Sequence, residues 1–251
     1  MIFEHYKGEE IFVKKVLDYQ SQALDHQRMI LTPFLNPREQ EIVKQIIGNQ
    51  DLIVHSFGGM NNAENQRMII CPSFYDIQKD DFDVVVAEII YPKQFGSIAH
   101  KDVLGALMNL GIKRDCIGDI DDHDRVFFAC TRQTFPFIQD QLTQVKRSKV
   151  KIKEVNEEIT IQHEFIKKTF FLSSLRLDKV VSSLYRVSRS QASDAIRAGF
   201  VKVNHKEVEE VHFLCHNNDM ISFKRHGRVK IVVHDRTTKQ GNQVIEGYFY
   251  K

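Results

Sequence analysis

Ser173-Ser174-Leu175-Arg176-Leu177-Asp178-Lys179-Val180-Val181-Ser182-Ser183-Leu184 opens the most sharply patterned part of the chain. Leu177, Val180, Val181 and Leu184 fall at i, i+3, i+4 and i+7, the apolar stripe of one short amphipathic helix. After Tyr185 to Val187 comes Ser188-Arg189-Ser190-Gln191, a Ser-x-x-Gln capping box in which hydroxyl and amide satisfy backbone N–H groups left free at a helix start. It predicts a second helix that stops at Gly199, with Ala192, Ala195 and Ile196 inward and Arg189, Ser193 and Arg197 four residues apart on the other side. Val201-Lys202-Val203-Asn204 then alternates, turns, and returns through Val208, and Asn218-Asp219 leads into Ile221 to Lys224. A period of two predicts short strands with cationic outer positions. Lys224-Arg225-His226-Gly227-Arg228 reads as a basic hairpin feeding a strand over Val229 to Val233.

Charge follows the same boundary. Residues 1–160 carry 19 Lys and Arg against 24 Asp and Glu, whereas residues 161–236 carry 14 against 8. The net +2 of the whole chain therefore hides a basic last third. Two short helices on a small bent sheet, with Arg and Lys on an exposed side, make a rigid cationic surface, and the helix start at Ser188 adds outward N–H groups suited to phosphate. Such a surface reads backbone spacing and groove shape more readily than base edges, so structured RNA is the expected ligand.

Outward from this segment, 251 residues with 42% hydrophobic and 27% charged content predict an α+β protein of two or three folded domains. Residues 1–78 read as a small mixed unit: helices from Glu9 to about Met29 and from Pro37 to Ile47 with Asn36 as N-cap, then strands Asp51 to Phe57 and Arg67 to Cys71. Residues 79–160 read as βαββαβ: strand Phe82 to Tyr91, helix His100 to Leu110, strands Cys116 to Ile120 and Arg125 to Cys130, helix Thr131 to Val145, strand Val150 to Val155. That order is ferredoxin-like, and RNA-recognition motifs share it. The strand that would stack bases, however, reads Asp124-Arg125-Val126-Phe127-Phe128-Ala129-Cys130, with no glycine and an acidic flank, so core packing is expected for its phenylalanines. The basic module is expected over residues 173–235, followed by a C-terminal tail at 236–251.

The quoted residues resemble the S-four RNA-binding domain, in the order Arg176-Leu177-Asp178-Lys179, Ser188-Arg189-Ser190-Gln191-Ala192, Gly199-Phe200-Val201-Lys202-Val203-Asn204 and Asn218-Asp219-Met220-Ile221. One departure is His205, where glycine is usual. The resemblance implies that Arg176, Lys179, Arg189, Arg197 and Lys202 face RNA and that Leu177 and Ala192 pack inside. Pattern and resemblance together add Arg186, Ser188, Ser190, Gln191, Asn204, Lys206, Lys224, Arg225 and Arg228 to the RNA-binding set. The whole layout is similar to the YlmH family of bacterial proteins, including Gly58-Gly59 followed by Ala63-Glu64 and Arg67, with Asn65-Gln66 where that family has a more basic pair. What this implies is binding to ribosomal RNA and tRNA on the large ribosomal subunit carrying peptidyl-tRNA, in quality control of stalled nascent chains, with protein partners open to the first two domains. The alternatives are an RNA-binding adaptor in cell division and, behind it, an accessory part of an RNA-modifying enzyme.

An enzyme is not expected. Arg176-Leu177-Asp178 mimics part of a pseudouridine synthase motif, but no synthase-sized domain follows it, so Asp178 is expected to cap or ion-pair the first helix. A methyltransferase would need a doubly wound domain with a Gly-rich loop, which Gly58-Gly59 does not supply. His55, His100 and His123 lie in different predicted elements with no adjacent nucleophile or ligand pattern, and Cys71, Cys116, Cys130 and Cys215 form no CxxC pair. No cofactor or metal is therefore expected, and the cysteines read as buried thiols of a reducing compartment. With neither a signal-peptide pattern nor a long apolar run, the chain is expected to be cytoplasmic, off the membrane and monomeric.

Overall fold

Apolar residues at helical spacing make α1 (Glu10–Asp25), which buries Val13, Val16 and Ala23. After β1 (Ile30–Leu31), α2 (Pro37–Ile47) starts at the expected N-cap, which the structure extends to a capping box: the Asn36 side chain accepts from the Glu39 N–H at 3.0 Å and the Glu39 carboxylate accepts from the Asn36 N–H at 2.8 Å. The computed structural model describes Tyr6 and residues 8–48, 51–162 and 164–250, and the chain divides into two units, residues 1–162 and 163–251.

In the first unit, β2 (Leu52–Phe57) and β3 (Arg67–Pro72) join β1 in an antiparallel sheet of order β1-β3-β2. Alternation sets its two faces. Met68 and Ile70 meet α1 and α2 through Val16, Ile42 and Val43, while Ile69 and Cys71 pack with Phe82 on the other side. β4 (Val84–Ile90), α3 (His100–Asn109), β5 (Ile117–Asp121), β6 (Val126–Thr131), α4 (Phe135–Gln141), β7 (Gln144–Val145), β8 (Ser148–Lys149) and β9 (Lys151–Val155) follow. The four-stranded sheet has order β5-β6-β4-β9 with antiparallel neighbours, the ferredoxin-like arrangement read from the sequence. The second helix of that pattern is shorter than expected. It ends at Gln141, and residues 144–149 form a small hairpin. Ile138, Leu142 and Val145 are all buried, so a helical period continues in the sequence although the backbone has left the helix.

Both phenylalanines of β6 are buried, on opposite faces. Phe128 lies with Val103, Leu107 and Ile138 under the helices. Phe127 lies with Val86 and Ala129 on the face where an RNA-recognition motif would stack bases, and here Phe34, Met60, Ala63 and Ile161 cover it. The cover is tied down: the Phe34 N–H donates to the Asp115 carbonyl at 2.9 Å, the Asn61 N–H to the Ile159 carbonyl at 2.8 Å, and the Asp119 carboxylate accepts from Asn65 and the Glu64 N–H. A Cβ on Gly118 would stand 2.7 Å from the Phe34 ring, and one on Gly59, at φ +87°, would strike Val84 and Val86. The Arg67 guanidinium donates to the carbonyls of Thr32 and Phe82, both at 2.8 Å. Gly58-Gly59, Ala63 and Arg67 thus join the two sheets of this unit.

The second unit begins with β10 (Phe165–Leu172), ahead of α5 (Leu177–Tyr185), α6 (Arg189–Arg197), β11 (Val201–Val203), β12 (Lys206–Glu207), β13 (Met220–Phe223), β14 (Gly227–Thr237) and β15 (Gln243–Tyr250). One sheet runs β10-β15-β14-β13-β11-β12. The stretch read as a tail therefore lies inside the sheet: β15 pairs along its length with β10, which precedes the basic module. Leu177, Val180, Leu184, Ala192 and Ile196 of the helices pack on Ile221, Val229, Ile231 and Ile245. The β11–β12 turn holds Asn204 at φ +49° and His205 at φ +67°, two left-handed positions as in a type I′ hairpin turn.

Phe34→Ala should destabilise residues 1–162 by about 3 kcal/mol, the usual loss for a buried phenylalanine, in urea melts of the full chain. His205→Gly should raise the melting temperature of the second unit, because a side chain in the left-handed region costs about 1 kcal/mol.

Candidate nucleic-acid interface

Asp178 is the second residue of α5, two positions after the N-cap, and its own N–H donates to the Val211 carbonyl. The residue is 1% exposed. Two guanidiniums meet it: Arg176 Nε at 3.1 Å and Nη2 at 3.2 Å, and Arg189 Nη2 at 2.5 Å. Burial pushes this carboxyl up, but the hydrogen bonds from Arg189 and Arg176 outweigh that effect and hold it below the usual carboxylate range. The ion-pairing role read for Asp178 is thus what the structure has, while its capping role is absent, since Arg176 is the N-cap. The consequence is geometric. One carboxylate brings the starts of α5 and α6 together and fixes two arginines side by side, Arg189 with more than half of its side chain in water.

Around this pair the expected residues take different places. Ser188 and Gln191 form the predicted capping box, with Ser188 Oγ accepting from the Gln191 N–H at 3.1 Å and Gln191 Oε1 from the Ser188 N–H at 2.9 Å, so these atoms serve the helix start. Ser190 is exposed beside them. Lys179 Nζ reaches Ser173 Oγ at 2.9 Å. Arg186 ends α5 in the left-handed region, exposed, and Arg197 lies exposed in the last turn of α6 with Asp194 at 3.7 Å. The Tyr185 hydroxyl donates to the carbonyls of Ile221 and Gly227, joining the end of α5 to the β13–β14 hairpin. At the end of α6, the Lys224 N–H donates to the Phe200 carbonyl, and Lys224 Nζ sits 4.9 Å over the Phe200 ring. Arg225, in the same turn, is exposed. Helix starts, helix ends and one hairpin turn thus carry the helical group of cations.

Four expected residues belong elsewhere. Asn204 uses its side chain inside the fold, donating to Asp219 at 2.8 Å and accepting from the Met220 N–H at 2.9 Å, while Lys206 closes the same turn against Val203. Lys202 lies between buried Val201 and Val203, so its side chain leaves the sheet on the face away from the helices, paired with Glu207 at 3.3 Å. Arg228 is on that outer face too, 4.7 Å over the Tyr250 ring. Sequence reasoning missed Phe200 as a ring beside the helical group and Lys230, Tyr248 and Tyr250 on the outer face. The alternation of residues 248–250 was the available signal, hidden because the stretch was read as a tail.

A family model described as "S4 domain" matches residues 175–221, the segment that holds both helices and the Asp178 clasp. Models described as "YlmH, N-terminal" and "Putative RNA-binding domain in YlmH" match residues 8–75 and 78–158. Over 243 residues, 95% of each chain, the sequence is 32% identical to "Ribosome-associated protein quality control protein P2" of Bacillus subtilis (strain 168). The chain belongs to the YlmH family. A solved structure titled "Cell division protein ylmH from Streptococcus pneumoniae" is similar at 28% identity and a TM-score of 0.52, covering 59% of this chain and 91% of that one. An RNA-binding S4 domain in a YlmH-family protein is therefore the setting of the Asp178 clasp.

The remaining candidates for chemistry are quiet. Burial pushes the thiols of Cys130 and Cys215 up to about 12, away from nucleophilic character, while Cys116 is only partly buried. Among the described residues, no group of three His, Cys, Asp or Glu could hold a metal ion, and no helix is long and apolar enough to cross a membrane.

Asp178→Asn should destabilise the second unit by about 2 kcal/mol, less than a fully buried pair because both guanidiniums are partly in water. Since the folded carboxyl titrates below its unfolded value of about 3.9, its stabilisation is complete above that pH and is lost as pH falls through the folded value. Melts between pH 2 and 7 should therefore lose part of their acid dependence in the variant.

Proposed function

We propose that the chain grips structured ribosomal RNA and tRNA through the helical face of its S4 domain, on the large ribosomal subunit carrying peptidyl-tRNA, and acts in quality control of stalled nascent chains as a non-catalytic binding protein. The observation that carries this reading is the Asp178 clasp. It presents Arg176 and Arg189 as a fixed pair at the open start of α6, where helix N–H groups add positive potential, and Arg186, Lys179 and Arg197 widen the basic surface. Fixed cations at two helix starts suit the phosphates of a folded RNA, whose spacing is set before binding. The name of the Bacillus subtilis relative supports the ribosomal setting, and a cytoplasmic location is part of the same proposal. The filled stacking face of the ferredoxin-like sheet supports giving this task to the second unit. The first unit is left to protein contacts, and the chain works as a monomer.

Arg186→Glu with Arg197→Glu is the informative variant. Both side chains are exposed and neither touches Asp178, whereas a glutamate at 189 would set a second carboxylate against a buried one. Co-sedimentation with purified large subunits bearing peptidyl-tRNA should fall at least tenfold while the melting curve stays unchanged. Wild-type binding should also weaken steeply from 50 to 200 mM salt as counterions are released. Unchanged sedimentation, or a flat salt response, would overturn the reading.

A further inference from the structure

The sheet of the second unit has an outer face that the helices leave uncovered, and its cross-strand register sets aromatic and cationic side chains in two neighbouring rows. Opposed residues of antiparallel strands share a face. In one row Lys202 opposes Ser222, Ser222 opposes Arg228, Arg228 lies over the Tyr250 ring, and Tyr250 opposes Phe165. In the next, Met220 opposes Lys230, Lys230 opposes Tyr248, and Tyr248 opposes Lys167. The alternate residues Val229, Ile231 and Ile245 are in the core beneath the helices, which fixes the other set as outward.

We propose that this outer face is a second RNA site, which takes unpaired nucleotides of a single strand by stacking bases on Tyr248, Tyr250 and Phe165 and holding phosphates with Arg228, Lys230 and Lys167. It goes beyond the helical-face reading, which concerns folded RNA on the opposite side of the sheet. Three observations carry it. First, the rings are laid open: Phe165 is 43% exposed and both tyrosines remain partly accessible, in a layer where polar residues would satisfy the sheet as well. Second, the rings hold one another in place, Phe165 meeting Tyr250 edge-on at 4.8 Å and Tyr248 at 6.2 Å, so a base meets a preformed surface. Third, the charge is complementary to a polyanion. Against Lys167, Arg228, Lys230 and Lys202 stand Glu246, which accepts from Lys167 and the Tyr248 hydroxyl, and Glu207, which pairs with Lys202.

The cations that now lie over the rings do not block the site. Arg228 sits 4.7 Å from the Tyr250 centroid and Lys167 5.6 Å from that of Tyr248. A cation–ring contact at an exposed position is weaker than a base–ring stack, so an arriving base displaces the cation, which then meets the adjoining phosphate. Aromatic rings with flanking cations on an open sheet are the parts from which single-strand platforms are built, and they tolerate any base because every base has a π-face.

The test uses the full chain and a fluorescein-labelled, unstructured 12-nucleotide RNA, read by anisotropy at 50 mM salt. Tyr248→Leu with Tyr250→Leu should raise Kd at least tenfold, whereas Tyr248→Phe with Tyr250→Phe, which keeps the rings, should stay within about twofold of wild type. If the leucine variant fails to fold by circular dichroism, Lys230→Glu with Lys167→Gln should give the same loss while keeping the rings. In the reverse arm, Arg186→Glu with Arg197→Glu should lose large-subunit binding yet retain the 12-mer. Absence of 12-mer binding by the wild type, equal binding by a folded leucine variant, or loss of the 12-mer only in the Arg186 and Arg197 variant would overturn the outer site. That last outcome would leave the helical-face reading standing.

Discussion

A carboxylate buried at the junction of two short helices governs the basic unit of this protein. Without a counter-charge, Asp178 would be costly where it lies. With Arg176 and Arg189 on its oxygens it stays ionised, and the desolvation that penalises it also strengthens its hold on both guanidiniums. The helices of nine residues each are too short to be stable alone, so their mutual orientation depends on core contacts and on this clasp. Affinity for a rigid ligand rests on such preorganisation, since a cation already in place loses little freedom on binding.

The first unit covers the face of its ferredoxin-like sheet on which an RNA-recognition motif stacks bases. Phe127 stands where a stacking ring could be, and Phe34, Met60 and Ala63 close over it. Close approach is possible because Gly118 has no Cβ to meet the Phe34 ring. Topology alone therefore does not say whether that face is open; the residues packed on it decide that.

In the second unit, pairing between distant segments creates a surface that neither segment has. β10 lies before the helices and β15 near the end of the sequence, yet they are adjacent in register along eight residue pairs. Their outward residues, with those of β14, make a continuous aromatic and cationic face, while their inward residues complete the core under α5 and α6. One sheet thus supplies support for the helical surface on one side and a chemically distinct surface on the other.

Local chemistry was legible in the residues themselves. The period of Leu177, Val180, Val181 and Leu184, the N-cap at Asn36, the capping box at Ser188, and the βαββαβ order are each set by neighbours within a few positions, and the structure has them as read. The family could be read from the same local patterns, because its motifs are short and ordered. Long-range placement was not legible. That α4 gives way to a hairpin, that Phe34 covers Phe127, that residues 243–250 are a strand and not a tail, and that Lys202 faces away from the helices all depend on partners far along the chain. A strand's period of two says that alternate side chains part to opposite faces, but only the packed structure says which face is core, because that depends on what lies against it.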